Sequence, residues 1–153
     1  MNVTSNLVEA HIFRLTGEEI EFLLLKRSER DIYPGLWQMV TGSIDKDEKA
    51  YHTALREIKE ETGLVPIKLW VVPNVNSFYY PKMNEICMVP VFAALVSSDS
   101  NVSLSEEHSE HQWVGKEEAI KLLAWPGQRY SVETIYEYLT MHQNYLHFVE
   151  ISL

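Results

Sequence analysis

The chain has 153 residues, 46% of them hydrophobic, and a formal net charge of −9 at pH 7. That length suffices for one well-packed domain over 1–153, and no Pro/Gly/Ser-rich linker divides it. The acidic balance argues against a protein that grips long nucleic acid, which needs Lys and Arg against the phosphates, but it is compatible with a small anionic molecule delivered with a cation. The single Cys87 forms no internal disulfide, and the chain starts without a basic-then-apolar leader. The longest apolar run, Ile86 to Val96, is too short to span a bilayer. A cytoplasmic address and no membrane partner are expected.

Asn6 to Leu15 and Ile20 to Lys26 read as two strands joined by the turn Thr16-Gly17-Glu18-Glu19. Lys26, Arg27 and Arg30 then form one of the few basic clusters in an acidic chain. Tyr33-Pro34-Gly35 is a turn signal, and Leu36 to Thr41 reads as a short strand leading into Gly42. From about Asp47 to Thr62 the pattern is helical, with Tyr51, Ala54, Leu55 and Ile58 on one apolar arc. Asp45 or Asp47 is expected to cap its start, Glu48 completing an Asp-x-x-Glu box if Asp45 is the cap, and Gly63 is a C-terminal stop.

On that helix Glu57, Glu60 and Glu61 stand at i, i+3 and i+4, so their carboxylates share an arc of about 100°. Like charges so placed repel, and more strongly where water is scarce. A hard divalent cation such as Mg²⁺ offsets that repulsion, because it takes oxygen ligands and bridges carboxylates to phosphates. The opposing reading is a solvated acidic helix, which explains neither the spacing from Gly42 nor the adjacent Arg56.

Ile67 to Val75 and Glu85 to Val96 read as strands, with Phe78-Tyr79-Tyr80-Pro81 between them, either an aromatic wall for a ring or packing for their own strands. Cys87 reads as a small buried hydrophobe. Ser97 to Ser105 is a polar loop, and the stretch from Glu106 ends in a strand at Val114. His108 and His111 have no Cys or His partner at ligand spacing, so they are not read as a metal pair. Lys116 to Leu123 is a short helix stopped by Trp125-Pro126-Gly127, and Val132, Ile135, Tyr136 and Leu139 mark a C-terminal packing helix. Periodicity alone reaches an α/β or α+β domain.

Gly42, Glu48 and the run Arg56-Glu57-Ile58-Lys59-Glu60-Glu61-Thr62-Gly63-Leu64 together resemble the complete box of the Nudix (MutT-like) hydrolases, with every fixed position filled. The resemblance implies an α/β fold, the Nudix α/β/α sandwich with a mixed β-sheet. It implies that Glu57, Glu60 and Glu61 bind Mg²⁺, with Mn²⁺ as substitute, that the Gly42 carbonyl serves the metal, and that a pair between Arg56 and Glu48 orients the glutamates. Glu107, in Glu107-His108 followed by Trp113, resembles a downstream glutamate that serves as metal ligand or base in many members, with Glu60 the alternative base. Arg27 either grips substrate phosphates or is an ordinary charged strand end. Trp37 either fills the core or, with Tyr79 and Tyr80, meets the substrate.

The stretch from Leu36 to Ser43 is most similar to dihydroneopterin triphosphate and deoxynucleoside triphosphate pyrophosphatases. Tyr80, where dinucleoside polyphosphate hydrolases often carry a tyrosine, suggests those as the alternative, although Val40-Thr41 replaces their usual Pro-Lys. A non-catalytic nucleotide sensor is a third reading, and such domains usually lose box glutamates that are all present here. The expected partner is a small phosphorylated molecule, and the chain is expected to be a monomer or homodimer.

Overall fold

Along β2 (Leu7–Thr16), Val8, Ala10 and Ile12 point to one face of a sheet while Glu9, His11 and Phe13 point to the other. All six are buried, so both faces of this strand must be covered. In the computed structural model, which describes residues 1–153, they are. Val8, Ala10 and Ile12 pack with Ala54 and Ile58 of α1 (Ala50–Thr62). Phe13 packs with Ala119 of α2 (Lys116–Leu122) and with Val132 and Ile135 of α3 (Pro126–Met141). No helix is long and apolar enough to cross a membrane.

The sheet between these layers is mixed. β4 (Trp37–Gln38), β3 (Glu19–Arg27), β2, β7 (Glu85–Leu95), β6 (Lys68–Tyr80) and β9 (Glu150–Ile151) neighbour one another in that order. β1 (Asn2–Thr4) adds to β7, β5 (Val40–Ser43) to β2, and β8 (His108–Val114) to β3. β2 and β3 form the expected hairpin, whereas β2 and β7 run parallel, with Glu9 opposite Val91. This is the α/β/α sandwich with a mixed sheet.

Helix α1 is fixed by its apolar arc. Ile58 is wholly buried, and such a side chain contributes about 2 kcal/mol by leaving water. Gly63 ends the helix in the left-handed region at φ 73°, its amide donating to the Lys59 carbonyl at 2.9 Å.

The start of α1 differs from expectation. It opens at Ala50 after Lys49, with no side-chain cap, because Asp45 to Lys49 form a turn in which Asp47 takes φ 67°. The Asp45 carboxylate turns instead to Arg56, 3.5 Å away. Only the returning half of the expected box exists, the Asp45 amide donating to Glu48 at 3.4 Å.

The single strand expected over Leu36 to Thr41 is two, interrupted at Met39, because β4 pairs with β3 whereas β5 pairs with β2. Phe78, Tyr79 and Tyr80 lie within β6 rather than between strands. The ladder slips between Val71 and Val75, around Pro73 with its missing N–H, then resumes to Tyr80, and the turn falls at Pro81–Asn84. Pro126 also opens α3, in the first turn, where its missing N–H leaves no helical bond unmade.

Candidate active site

The three box glutamates of α1 meet different surroundings. Their side chains are 14% exposed at Glu57 and 58% at Glu60, while Glu61 as a residue is 2% exposed. The arc that looks uniform in sequence is therefore graded. Glu60 faces solvent, Glu57 lies under the β5 strand, and Glu61 is closed in.

Arg56 ties the solvent end together. Its Nε and Nη2 donate to the two Glu48 oxygens at 3.1 Å each, its Nη1 to Glu57 at 2.9 Å and Glu60 at 3.4 Å, and its Nη2 also to the Ser43 carbonyl at 3.0 Å. The rigid fork of a guanidinium suits such a role. Those hydrogen bonds hold the Glu48 carboxyl below its ordinary range and raise Arg56 further above its own. Glu57 is pushed up instead, because burial and the charges of Glu60 and Glu107 outweigh its bond to Arg56.

Gly42 stands directly against Glu57. A Cβ at position 42 would overlap the Glu57 Cγ and Cδ atoms, so the close approach requires glycine.

The buried end is completed from a distant part of the chain. The segment before β8 is clipped to the end of α1 by two backbone bonds, Ser103 N–H to the Thr62 carbonyl at 2.8 Å and Ser105 N–H to the Glu61 carbonyl at 3.3 Å. These satisfy carbonyls that a helix end leaves free. The clip delivers Glu107 and His108, so that ligand atoms of Glu61, Glu107 and His108 all lie within 4.8 Å of one another. The Glu61 carboxyl is pushed up to about 10 by burial, by pairing with Glu107, and by the charges of Glu107 and Glu57, with Arg27 opposing.

This donor set fits a divalent cation on two grounds. Carboxylate oxygens at one point are the hard ligands that Mg²⁺ and Mn²⁺ take. Glu61 Oε2 is also buried with no hydrogen-bond partner, an unsatisfied acceptor in want of positive charge.

The remaining candidates are placed as follows. Arg27 is half-buried, donating from Nε to the Ile32 carbonyl at 2.6 Å and from Nη1 to Gln38 at 3.3 Å, and its charge acts on Glu61. Trp37 is half-buried against the α2–α3 core and bridges to Leu123, so much of its ring is packing. Tyr79 and Tyr80 are exposed on the β6–β7 hairpin, with the Tyr79 hydroxyl donating to Asn84 at 3.0 Å. Cys87 is buried, as read.

Two features escape a reading by spacing. His108, set aside as a ligand, is buried at the acidic cluster, and the signal for it was its place directly after Glu107. On the opposite face, Glu9 and His11 are buried 2.5 Å apart inside a strand, with Asn76 donating to Glu9 at 3.0 Å. Burial alone would raise the Glu9 carboxyl, but the bonds from His11, Asn76 and Ser131 and the charge of His11 outweigh it and leave it lowered. The polar residues at alternate positions 9 and 11 of an otherwise apolar strand were the available hint.

Comparison with known proteins accords with this geometry. The NUDIX domain family matches residues 6–135. Bis(5'-nucleosyl)-tetraphosphatase (asymmetrical) of Mus musculus is 27% identical over 128 residues, covering 82% of this chain and 85% of that protein. Nucleoside triphosphatase NudI of Escherichia coli is 27% identical over 107 residues, covering 65% of this chain and 76% of that protein. Among solved structures, a C. elegans Ap4A hydrolase binary complex superposes with a TM-score of 0.73 at 25% identity, covering 91% of this chain and 98% of that one. The chain belongs to the NUDIX domain family and is a Nudix hydrolase of acid anhydrides.

Proposed function

We propose that this hydrolase, acting as one domain over 1–153, cleaves a diphosphate bond in a nucleoside triphosphate or related triphosphate, dATP-like or dihydroneopterin triphosphate, releasing monophosphate and pyrophosphate. The observation that carries this reading is the convergence of Glu61 with Glu107, from segments far apart in sequence, beside Glu57.

Glu57 and Glu61, with the Gly42 carbonyl, would hold a divalent ion, and Glu60 would complete the set from the solvent side. A bound Mg²⁺ or Mn²⁺ supplies positive charge against the phosphate oxygens as negative charge moves toward the leaving group. The chain's own residues do the rest. Arg56 and Glu48 hold Glu57 and Glu60 in place. Arg27 adds positive charge at the buried side, where a guanidinium meets phosphate oxygens. Glu107 takes the proton from the water whose oxygen attacks phosphorus, as the bond from phosphorus to the bridging oxygen breaks. Glu107 suits that task better than Glu60, whose carboxylate is engaged by Arg56.

A second reading is favoured by one observation. Tyr79 and Tyr80 are both exposed, on opposite faces of the β6–β7 hairpin, so either one is available to stack on a base, and the mouse relative is named a bis(5'-nucleosyl)-tetraphosphatase. A dinucleoside polyphosphate would then be cleaved by the same groups. The deciding experiment is a panel of deoxynucleoside triphosphates, dihydroneopterin triphosphate and diadenosine tetraphosphate with Mg²⁺, with products separated by chromatography. Monophosphate and pyrophosphate from a triphosphate are expected. A diphosphate with free phosphate would place the cleaved bond elsewhere, and turnover of the dinucleotide alone would establish the second reading.

A further inference from the structure

His108 is the buried member of the acidic cluster whose role the reaction above leaves unassigned. Its Nε2 lies 2.9 Å from Nε2 of Gln38, and Gln38 Oε1 accepts from Nη1 of Arg27 at 3.3 Å. A guanidinium only donates, so the Gln38 oxygen must face Arg27 and its NH₂ must face His108. The Nε2 atom of His108 is then an acceptor, and the ring proton sits on Nδ1. Strand pairing holds this arrangement in place. Arg27 is opposite His108 across β3 and β8, and Gln38 is opposite Leu25 across β4 and β3.

Nδ1 is buried and has no hydrogen-bond partner, on a ring that has a nitrogen within 4.8 Å of the carboxylate oxygens of Glu61 and Glu107. Taken as a set, those three residues look like a three-ligand metal site. The hydrogen-bond chain argues otherwise. Ligation through Nδ1 needs a lone pair there, which moves the proton to Nε2 and points it at the N–H of Gln38. Turning the Gln38 amide over to relieve that clash sets its NH₂ against Arg27.

We propose that His108 is a positioning residue and not a metal ligand: the relay from Arg27 through Gln38 fixes its proton on Nδ1 and leaves that N–H free to donate to the Glu107 carboxylate when it turns toward the attacking water. The inference rests on the role given above to Glu107. A donor there would orient the base without adding a second negative charge or competing for its cation.

The test begins with ¹⁵N-histidine-labelled protein of residues 1–153, whose ring-nitrogen shifts distinguish the two tautomers. The expected result for His108 is a protonated Nδ1 and an unprotonated Nε2, unchanged when Mg²⁺ is added. The opposite tautomer, or a ligated Nδ1 on adding Mg²⁺, would overturn the proposal. Gln38→Glu replaces the donating amide by an acceptor and should swap the His108 tautomer. With the swap, kcat should fall about 10 to 100-fold with KM within about threefold. His108→Asn, which keeps an N–H near Nδ1, should stay within about fivefold of wild type, whereas His108→Ala should lose at least about tenfold. A swapped tautomer with wild-type kcat, or equal losses in the Asn and Ala variants, would refute the positioning role. The ¹⁵N signature is read without turnover, so a failure of the relay and a failure of the proposed hydrolysis are separate results.

Discussion

Gly42 and Glu57 are packed so closely that any side chain on the first displaces the second. The atoms in the way are the end of a flexible side chain, so Gly42→Ala should fold. We expect turnover to fall at least about 10²-fold, roughly 2.7 kcal/mol of barrier, while the melting temperature moves by only a few degrees. Initial rates and calorimetry on the same preparation check this. Wild-type turnover in the variant would remove Glu57 from the working site.

Arg56 contacts Glu48, Glu57, Glu60 and the Ser43 carbonyl at once. Lysine keeps the charge but cannot span these partners. Arg56→Lys should therefore lower kcat by about tenfold or more and raise the Mg²⁺ concentration for half-maximal rate. A Mg²⁺ titration of initial rates measures both. An unchanged titration with normal kcat would reduce Arg56 to an ordinary surface ion pair.

Glu61 sets a pH dependence whose sign can be worked out. Its folded carboxyl is raised to about 10 from 4.5, so in the metal-free protein the fold keeps a proton that the unfolded chain releases. Stability therefore falls as pH rises through that window, by up to about 1.4 kcal/mol per pH unit. Glu61→Gln removes this slope and should raise the melting temperature of chelated protein at neutral pH. It should also weaken the stabilisation that Mg²⁺ confers, which in wild type grows with pH as the competing proton is lost. Melting curves with chelator and with Mg²⁺, across about pH 5 to 9, separate the effects. A metal-free wild type whose stability rises through neutral pH would contradict the assignment.

For Glu107, Glu107→Gln keeps the shape and removes the ionised carboxylate. Turnover should fall about 10 to 10³-fold, and for the neighbouring Glu106→Gln less than about threefold, since a general base contributes 10² to 10⁴. Single-turnover rates isolate the chemical step. Similar near-normal rates in both variants would leave catalysis to α1 alone.

Glu9 has the opposite sign from Glu61. Its folded carboxyl is lowered from 4.5, so its stabilisation is fully present above that value and is lost as pH falls through the lower folded one. Glu9→Gln should cost about 1 to 3 kcal/mol at neutral pH, and the gap from wild type should close in acid. Urea unfolding at neutral and acid pH reads the gap. A gap that widens in acid would mean that Glu9 is held protonated.

The box, the α1 core arc and the β2–β3 hairpin were legible because each is local: spacing along one helix, alternation along one strand, a glycine at a turn. The graded exposure of Glu57, Glu60 and Glu61 was not, because it depends on what lies over each residue, and β5 and the Glu107 segment come from elsewhere in the chain. The bond from Gln38 to His108 joins residues 70 apart in sequence, and that from Asn76 to Glu9 residues 67 apart. Neither separation leaves a periodic trace. The start of α1 was misread because Arg56, eleven residues after Asp45, takes the carboxylate that a local reading gives to the helix end.

The clip of Ser103 and Ser105 onto the last carbonyls of α1 bears on motion. Two main-chain bonds couple the helix end to the strand that follows Glu107, so the two sides of the acidic cluster open as one body or not at all. The Ser103 and Ser105 amides should then exchange with solvent in step with the last turn of α1. Breathing of the β6–β7 hairpin, which carries neither bond, would leave that exchange untouched and the spacing of Glu61 and Glu107 fixed.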